Sequence, residues 1–572
     1  MNFEESLEKM ILGKTLDEQL GNIPSHDHIV DSYIEQLRSN FPLREVGSTR
    51  EDPFNLSEEA RASHIHILGT TREGKSKFLE MLLTQDMGRF GATLLDPSDN
   101  GQTAYNVLRW AIARGYEKVC LIDPHDAKFA IPCLNPLRWR GAPATDSVVQ
   151  NIMESIRLLW GQTSFSDTPR IETYLSAVLT ALYAAKATIP DAVCFLVKES
   201  HQYQYQRMRI LDHLPVYDKS RQILEEVFHA KGQQLFLGEF KPSIRRLSPF
   251  FDYLPRLIYG STDTSFDFHQ LIADKWLILV NLDKTRLPGV AFQRTLGTLI
   301  VNEIITAISD LTANGWQGKH YLYIDEAGQF ATRGLADVMA YKGKSGLWAT
   351  VSHQYYSQFE DKVVLDAIEN LCKIKVMFYT PNSQDRQRMI RDMYTGELKM
   401  TAGDAHASLK KQHAVIKVGK EPPQTVAIRD IITPDISAKV LGEWKEEKIY
   451  KANPWYRTAD VIQEELKQRF AHPKEAPQPV RRTNLASKKG SDFKVPQRGT
   501  GNDSPTVGQS NPVQPGGEEG NPDINNPQAD GWQDQDIPVS WDVPTDNPDV
   551  KPPQERGDSK TDKGSVGKRG KS

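Results

Sequence analysis

Eight consecutive residues, Gly69, Thr70, Thr71, Arg72, Glu73, Gly74, Lys75 and Ser76, spell the pattern GxxxxGKS. In such a loop the glycines let the backbone curl until its N–H groups face a chain of phosphates. The lysine reaches the β and γ oxygens, and the serine hydroxyl ligates Mg²⁺. The run therefore reads as a binding loop for ATP with Mg²⁺. It needs a carboxylate from a neighbouring strand, and Tyr321-Leu322-Tyr323-Ile324-Asp325-Glu326 is an apolar run that ends in two. Asp325 is expected to hold Mg²⁺ through its water shell, and Glu326 to orient and polarise an attacking water. Adjacent carboxylates in an extended strand point to opposite faces, so each can take its own task. Further along, LWATVSHQ ends in Gln354. Its amide can donate to a γ-phosphate and accept from water, so that loss of the phosphate moves whatever follows; the plainer alternative is a polar strand end. Lys75, Glu326 and Gln354 form the candidate catalytic set, with Ser76 and Asp325 as metal ligands.

These residues need a scaffold, and the pattern around them supplies one. SHIHILGTT is a short β-branched run ending in glycine, and KSKFLEMLLTQDMGRF follows with helical spacing. Strand, loop and helix place the phosphate loop at a helix N-terminus, whose partial positive charge favours anions. GATLLDPSDN, TAYNVLRWAIARG and KVCLIDPHD repeat the alternation expected of a parallel sheet. Strand patterns then give way to helical ones and return at KWLILVNLD, HYLYIDEAG, LWATVSHQ and KIKVMFYT, and AVIKVGKEPPQTVAIRD reads as a closing hairpin. The expected division is a helical lead-in at 1–60, a first part of the core at 61–142, an inserted all-α subdomain at 143–256, the rest of the core at 257–440, a C-terminal helix at 441–474 and a disordered tail at 475–572. The fold class is α/β, a P-loop core interrupted by helices. Asp96 and Asp123 each end a strand before proline, where they either line the crevice or cap the following turn. Lys241, Arg245 and Arg246 in the insert are open to phosphate contact or to plain solvation.

Composition excludes several classes. The four cysteines, Cys120, Cys133, Cys194 and Cys372, form no CxxC pair, so neither a disulfide framework nor structural zinc is indicated and a reducing cytoplasm fits. No run approaches the roughly 18 apolar residues of a membrane span. The tail holds 13 of the 34 prolines and 12 of the 38 glycines and has no apolar run to offset the entropy of ordering it. Thr500 to Val550 carries ten acidic residues and neither Lys nor Arg, which leaves residues 1–499 close to neutral, so bulk charge decides nothing about nucleic acid. Trp532 and Trp541 stand alone in that acidic stretch and suggest docking points for a partner.

In order, GxxxxGKS, LLDPSDN, the LIDPHD and LNPL pair between Asp123 and Leu137, LILVNLD, YIDEAGQF, SHQ and KVMFYT closely resemble the conjugative coupling proteins of type IV secretion (TraD/TraG-like) and the wider HerA/FtsK-like translocase ATPases. The likeness runs from about His64 to Asp430, and the helical insert stands where coupling proteins carry an all-α domain. It implies a RecA-like core, a homo-oligomer of hexameric type, and ATP hydrolysis that moves DNA through a central channel. It further implies relaxase or secretion-channel partners at the tail. A HerA-like motor of DNA processing or packaging, and a non-motor nucleotide switch, are the alternatives. Two departures stand out. Coupling proteins usually begin with transmembrane helices, and this sequence shows none, so membrane attachment would come from a partner or be absent. Many relatives also carry Arg-Lys-x-Gly where this chain has Tyr341-Lys342-Gly343-Lys344. The cation that would reach a neighbouring subunit's nucleotide is therefore open among Lys344, Lys342 and Arg333, with plain surface lysines as the other possibility.

Overall fold

The computed structural model describes residues 45–470, apart from 50–51, 127–129, 160–168, 230, 263, 286, 341–345, 395–401 and 404–405. The expectations for 1–44, for Lys342 and Lys344, and for the tail with Trp532 and Trp541 lie outside the described residues.

Thirteen strands appear in these residues: β1 (Glu45–Ser48), β2 (Pro53–Asn55), β3 (His64–Leu68), β4 (Gly91–Asp96), β5 (Val119–Ile122), β6 (Ile131–Pro132), β7 (Leu277–Asn281), β8 (His320–Ile324), β9 (Leu347–His353), β10 (Cys372–Met377), β11 (His413–Val418), β12 (Gln424–Ile428) and β13 (Tyr456–Arg457). Eleven of them form one sheet in the order β2-β1-β12-β11-β10-β3-β9-β8-β4-β7-β5. From β10 to β5 every neighbouring pair is parallel. Strands β3, β4, β5, β7 and β8 are buried along their whole length, which is why they read as continuous apolar runs rather than alternating ones. Beyond β10 the pairing turns antiparallel: the β11–β12 hairpin extends the sheet, and β1 and β2 complete that side.

The helices used below are α1 (Lys75–Asp86), α2 (Gln102–Ala113), α3 (Thr145–Leu159), α4 (Pro169–Ala184), α5 (His201–Leu211), α6 (Lys219–Phe228), α7 (Val290–Ala313), α8 (Arg333–Ala340), α9 (Lys362–Leu371), α10 (Ser383–Met393) and α11 (Ala459–Phe470). Between β6 and β7 the described residues form helices α3 to α6 and shorter helical turns, with no strand. α3 is fastened to α7, because Asn302 Nδ2 donates to the Asn151 carbonyl at 3.0 Å and Asn151 Nδ2 to Thr306 Oγ1 at 2.6 Å.

Three features differ from the sequence reading. Within the expected helical lead-in, Glu45–Ser48 and Pro53–Asn55 are instead strands of the main sheet: Val46 is fully buried, and each run is too short to show its period. Helix α7 is long and apolar enough to cross a membrane, although no such run was expected. About two-thirds of that apolar window is buried inside the fold, as in a core helix. In the C-terminal segment the helix expected over ADVIQEELKQRF is α11, but the described residues ahead of it also carry the end of the helix Ala438–Trp444, a wider helical turn over Lys445–Tyr450, and β13. It closes the far edge of the sheet, where the Leu121 N–H donates to Tyr456 Oη at 2.9 Å and Tyr456 Oη donates to the Leu121 carbonyl at 2.9 Å. A side chain thus covers what would otherwise be an open strand edge.

The underside of the site is pinned by one buried ion pair. Arg61 Nη2 lies 2.6 Å from Asp86 Oδ2 and donates to Tyr323 Oη at 2.7 Å, while the Tyr323 hydroxyl also donates to Asp86. Burial works against the Arg61 charge, but Asp86 and the two tyrosines outweigh it and raise its pKa above the ordinary value. Arg61→Ala strands a buried carboxylate and is expected to cost about 3–5 kcal/mol, whereas the neutral pair R61M/D86L should lie much closer to wild type. Urea denaturation separates these outcomes; equal losses in both would show that the charges themselves are not paired as described.

Histidines on the parallel strands set a second stability term. Burial pushes His64 down to about 4 and His320 and His353 down to about 3, and lowers His66 as well. An unfolded histidine titrates near ~6.5, so this stability is complete above that pH and is lost as pH falls toward the folded values. Asp96 acts in the opposite sense, because burial raises it to about 6 and its protonation below that pH favours the fold; burial also raises Glu303, Asp252 and Asp385, and Asp267 raises His269, while His406, pushed down to about 4 by burial, joins the first set. The urea midpoint should fall between pH 6.5 and 5, with a slope of up to ~1.4 kcal/mol per pH unit for each histidine. A flat profile over that window would contradict the burial of these rings.

Candidate functional site

The phosphate loop leaves β3 at Leu68 and enters α1 at Lys75. Two of its residues lie in left-handed backbone, Arg72 at φ 69° and Gly74 at φ 120°. Gly69 is held to glycine by space, since a Cβ there would stand 2.6 Å from Phe378 Cβ. Gly74 is the residue before the helix and offers no side-chain cap, so the first N–H groups of α1 are left for an anion. Lys75 is buried and Ser76 is exposed beside it. Thr70 donates through N and Oγ1 to the Tyr379 carbonyl, both at 3.2 Å, and the Gln412 N–H donates to the Glu73 carbonyl at 3.0 Å. The loop is thereby tied to β10 on one side and to the start of β11 on the other.

The sheet order brings the other candidates to this loop. β9 lies between β3 and β8, so the acidic strand is the next but one rather than the immediate neighbour. Leu68 pairs with His353 and Ile324 with Val351, which sets Gln354 level with Gly69 and Asp325 level with Ser352. Ser352 Oγ donates to Asp325 Oδ1, and the Glu326 N–H donates to the same oxygen at 3.0 Å. The two carboxylates do not diverge as alternating strand positions. The strand ends at Ile324, and Glu326 sits in left-handed backbone at φ 51°, a conformation that turns it back across the sheet end toward Lys75.

Glu326 is the meeting point. Its Oε1 lies 3.3 Å from Lys75 Nζ and accepts from Gln354 Nε2 at 2.7 Å, while Oε2 accepts from Gln358 Nε2 at 2.6 Å. Gln354 Oε1 accepts from Thr71 Oγ1 at 3.2 Å, so the loop, the acid and the amide form one network. Gln358 was not singled out in the sequence. It follows β9 in a short turn, and its Oε1 accepts from the Gln354 N–H at 2.8 Å, which fixes the turn that carries both amides. Only its place four residues after Gln354 could have marked it.

The remaining candidates fall to structural roles or lie elsewhere. Asp96 accepts from the Ser98 N–H at 3.0 Å and the Ala104 N–H at 2.8 Å, so it caps the start of α2. Asp123 Oδ2 takes the Tyr105 hydroxyl at 2.6 Å and the Asn281 amide at 3.1 Å, joining β5, β7 and α2. Arg333, at the start of α8, is held by Asp361 at 2.6 Å and remains 44% exposed. Arg245 is exposed in the helical stretch, and Lys241 and Arg246 are half-buried. All four cysteines are buried and free.

The donor set fits a nucleotide with Mg²⁺: an uncapped helix start, a lysine, an exposed serine hydroxyl and a carboxylate with one oxygen already fixed. This combination defines the class of site as a P-loop nucleotide site on a mainly parallel α/β sheet. No protein-family model matches the chain, and no curated protein matches it. Among solved structures the chain is similar to VirB4 of Thermoanaerobacter pseudethanolicus, at 14% identity and TM-score 0.46, over 68% of this chain and 96% of that one. It is also similar to the bacterial conjugative coupling protein TrwBΔN70, at 14% identity and TM-score 0.49, over 70% of this chain and 92% of that one. The genome packaging NTPase B204 from Sulfolobus turreted icosahedral virus 2 matches over 30% of this chain, at 17% identity and TM-score 0.20.

The contact of Ser352 with Asp325 has a measurable consequence. Ser352→Ala removes the hydroxyl that orients the carboxylate, so the Mg²⁺ concentration needed for binding of a non-hydrolysable ATP analogue should rise about tenfold. Titration of Mg²⁺ against analogue binding reads this directly, and an unchanged midpoint would remove Asp325 from the metal site.

Proposed function

We propose that the protein is an ATP-driven DNA translocase of the coupling-protein kind, which hydrolyses ATP at the subunit interfaces of a hexameric ring. The observation that carries the reading is the Glu326 carboxylate, turned by a left-handed backbone to within 3.3 Å of Lys75 and held by the amides of Gln354 and Gln358. A protein that only binds nucleotide has no use for a carboxylate positioned to polarise water.

In this reading the backbone from Gly69 to Ser76 cradles the phosphates, and Lys75 leaves Glu326 to hold the β and γ oxygens. Mg²⁺, bound by Ser76 and through water by Asp325, would neutralise charge on the phosphates. Glu326, freed of the ammonium and still held by Gln358, accepts the proton of the attacking water. Gln354 exchanges its bond to Glu326 for one to the γ-phosphate, and so reports whether that group is present. The ordered series of motifs supports DNA as the moved substrate and a ring as the working form. Arg333, Lys342 and Lys344 stay the candidates for a cation acting across the subunit boundary, and the segment 475–572 is assigned to docking relaxase or secretion-channel proteins.

Glu326→Gln should keep ATP affinity and lose hydrolysis by about 10²–10⁴-fold, while Lys75→Ala should lose both. The rate per subunit should rise with protein concentration and with added DNA, because a site completed by a neighbour needs the oligomer. A monomer by light scattering, with a rate that responds to neither, would favour a nucleotide switch instead.

A further inference from the structure

Away from the nucleotide site, a half-open cavity of about 120 Å³ lies where α5, the turn after α4 and the end of α11 meet. Gln206 and Arg209, one helical turn apart, present one face of α5 to it, and His213 follows in the turn beyond the end of the helix. Gln206 is only 7% exposed, yet neither its Nε2 nor its Oε1 has a hydrogen-bond partner among the described residues. Buried amides are almost always paired, so one left unpaired on a cavity wall points to something that enters. Lys186, in left-handed backbone at φ 54°, comes from the turn after α4, and Arg469 from the end of α11.

The charges divide into a spent and an unspent set. Arg469 lies 2.7 Å from Glu465 and 3.5 Å from Asp191, whose other oxygen accepts from the Thr188 N–H and hydroxyl at 2.7 Å each. Lys186 and Arg209 face no carboxylate among the described residues; each lies near an aromatic ring instead, Trp139 at 5.6 Å and Tyr205 at 5.9 Å. Both are exposed at the rim with His213, whereas Gln206 is buried. A complementary ligand has an edge with a donor beside an acceptor for the floor and a negative group for the rim. The volume corresponds to about four water molecules, enough for an amide end and too small to enclose a whole nucleotide.

We infer that this cavity is a binding site for a small carboxylate that bears an amide, with the amide on Gln206 and the carboxylate on Lys186 and Arg209. Two sources offer that chemistry, a free metabolite and an acidic peptide segment. The test uses the intact chain with N-acetylaspartate, an acetylated tetra-aspartate peptide, succinate and inorganic phosphate as probes, followed by calorimetry and by thermal unfolding. N-acetylaspartate should bind at least tenfold tighter than succinate and raise Tm by about 2 °C or more at saturation. Gln206→Met, which keeps the length of the side chain without its amide, should erase the preference over succinate while leaving ATP hydrolysis unchanged. Lys186→Ala with Arg209→Ala should weaken both probes alike and flatten the salt dependence. Tighter binding of the peptide assigns a peptide as the source, and equal binding assigns a metabolite. The inference is overturned if no probe binds, which would mean that water alone satisfies Gln206. It is equally overturned if N-acetylaspartate binds wild type and Gln206→Met with the same affinity, since the amide would then make no use of Gln206.

Discussion

A carboxylate at the C-terminal end of a helix is in the wrong place electrostatically, because the last carbonyls already carry partial negative charge. Asp86 occupies that position on α1 and is buried as well, at 4% exposure. It is tolerable only because Arg61 and the Tyr323 hydroxyl reach it. The consequence extends well beyond one ion pair. α1 begins with Lys75, and Tyr323 lies two residues before Asp325 on β8, so the clamp fixes the spacing of the helix that carries the lysine against the strand that carries the acids. Asp325 follows directly on the end of β8, so an error of register on that strand would displace Tyr323 and the acids together.

At the upper end of the same strands the charge pattern is arranged around a competition. Lys75 cannot hold Glu326 and a phosphate oxygen with equal strength, since both are anions drawing on one ammonium. Gln354 is divided in the same way, with its Nε2 on Glu326 and its Oε1 taking the Thr71 hydroxyl. Gln358 has no such conflict: it grips Oε2, the oxygen that Lys75 does not touch, and anchors the backbone of its own turn. It can hold the acid steady while the other partners change, and so belongs to the site as a positioning residue.

Much of this was legible in the sequence, for identifiable reasons. The buried parallel strands announced themselves as apolar runs, and Gly69 to Ser76 as a loop between a strand and a helix, because neither depends on distant partners. What stayed hidden depends on tertiary order. Nothing local to Tyr321–Glu326 says that β9 lies between it and β3, or that Glu326 leaves the strand in a left-handed turn. The proline beside Asp123 points to a local turn, but it gives no hint of Tyr105 and Asn281, which reach its Oδ2 from other elements. Helix α7 carried no flag as a candidate span, because its length appears only once the ends of the helix are drawn. β1 and β2 are four- and three-residue strands, too short for any periodicity to show, and β1 joins the sheet only through β12, far along the chain.

The turn after β9 also links the nucleotide site to the surface. Gln354 and Gln358 bracket it, and three residues later Asp361 caps α9 through the Val363 N–H at 3.0 Å while its other oxygen holds Arg333 at 2.6 Å. Arg333 is thus fastened to the segment that begins at Gln354, and its partly exposed guanidinium belongs to the first residue of α8. An isolated surface arginine has no reason to follow the phosphate state. In the proposed reading, one whose carboxylate partner caps the helix just after the turn that Gln354 begins would do so, because a shift of that turn would displace Asp361 and leave Arg333 either to travel with it or to lose its pair. This physical connection is absent from the sequence spacing of residues 333 and 354.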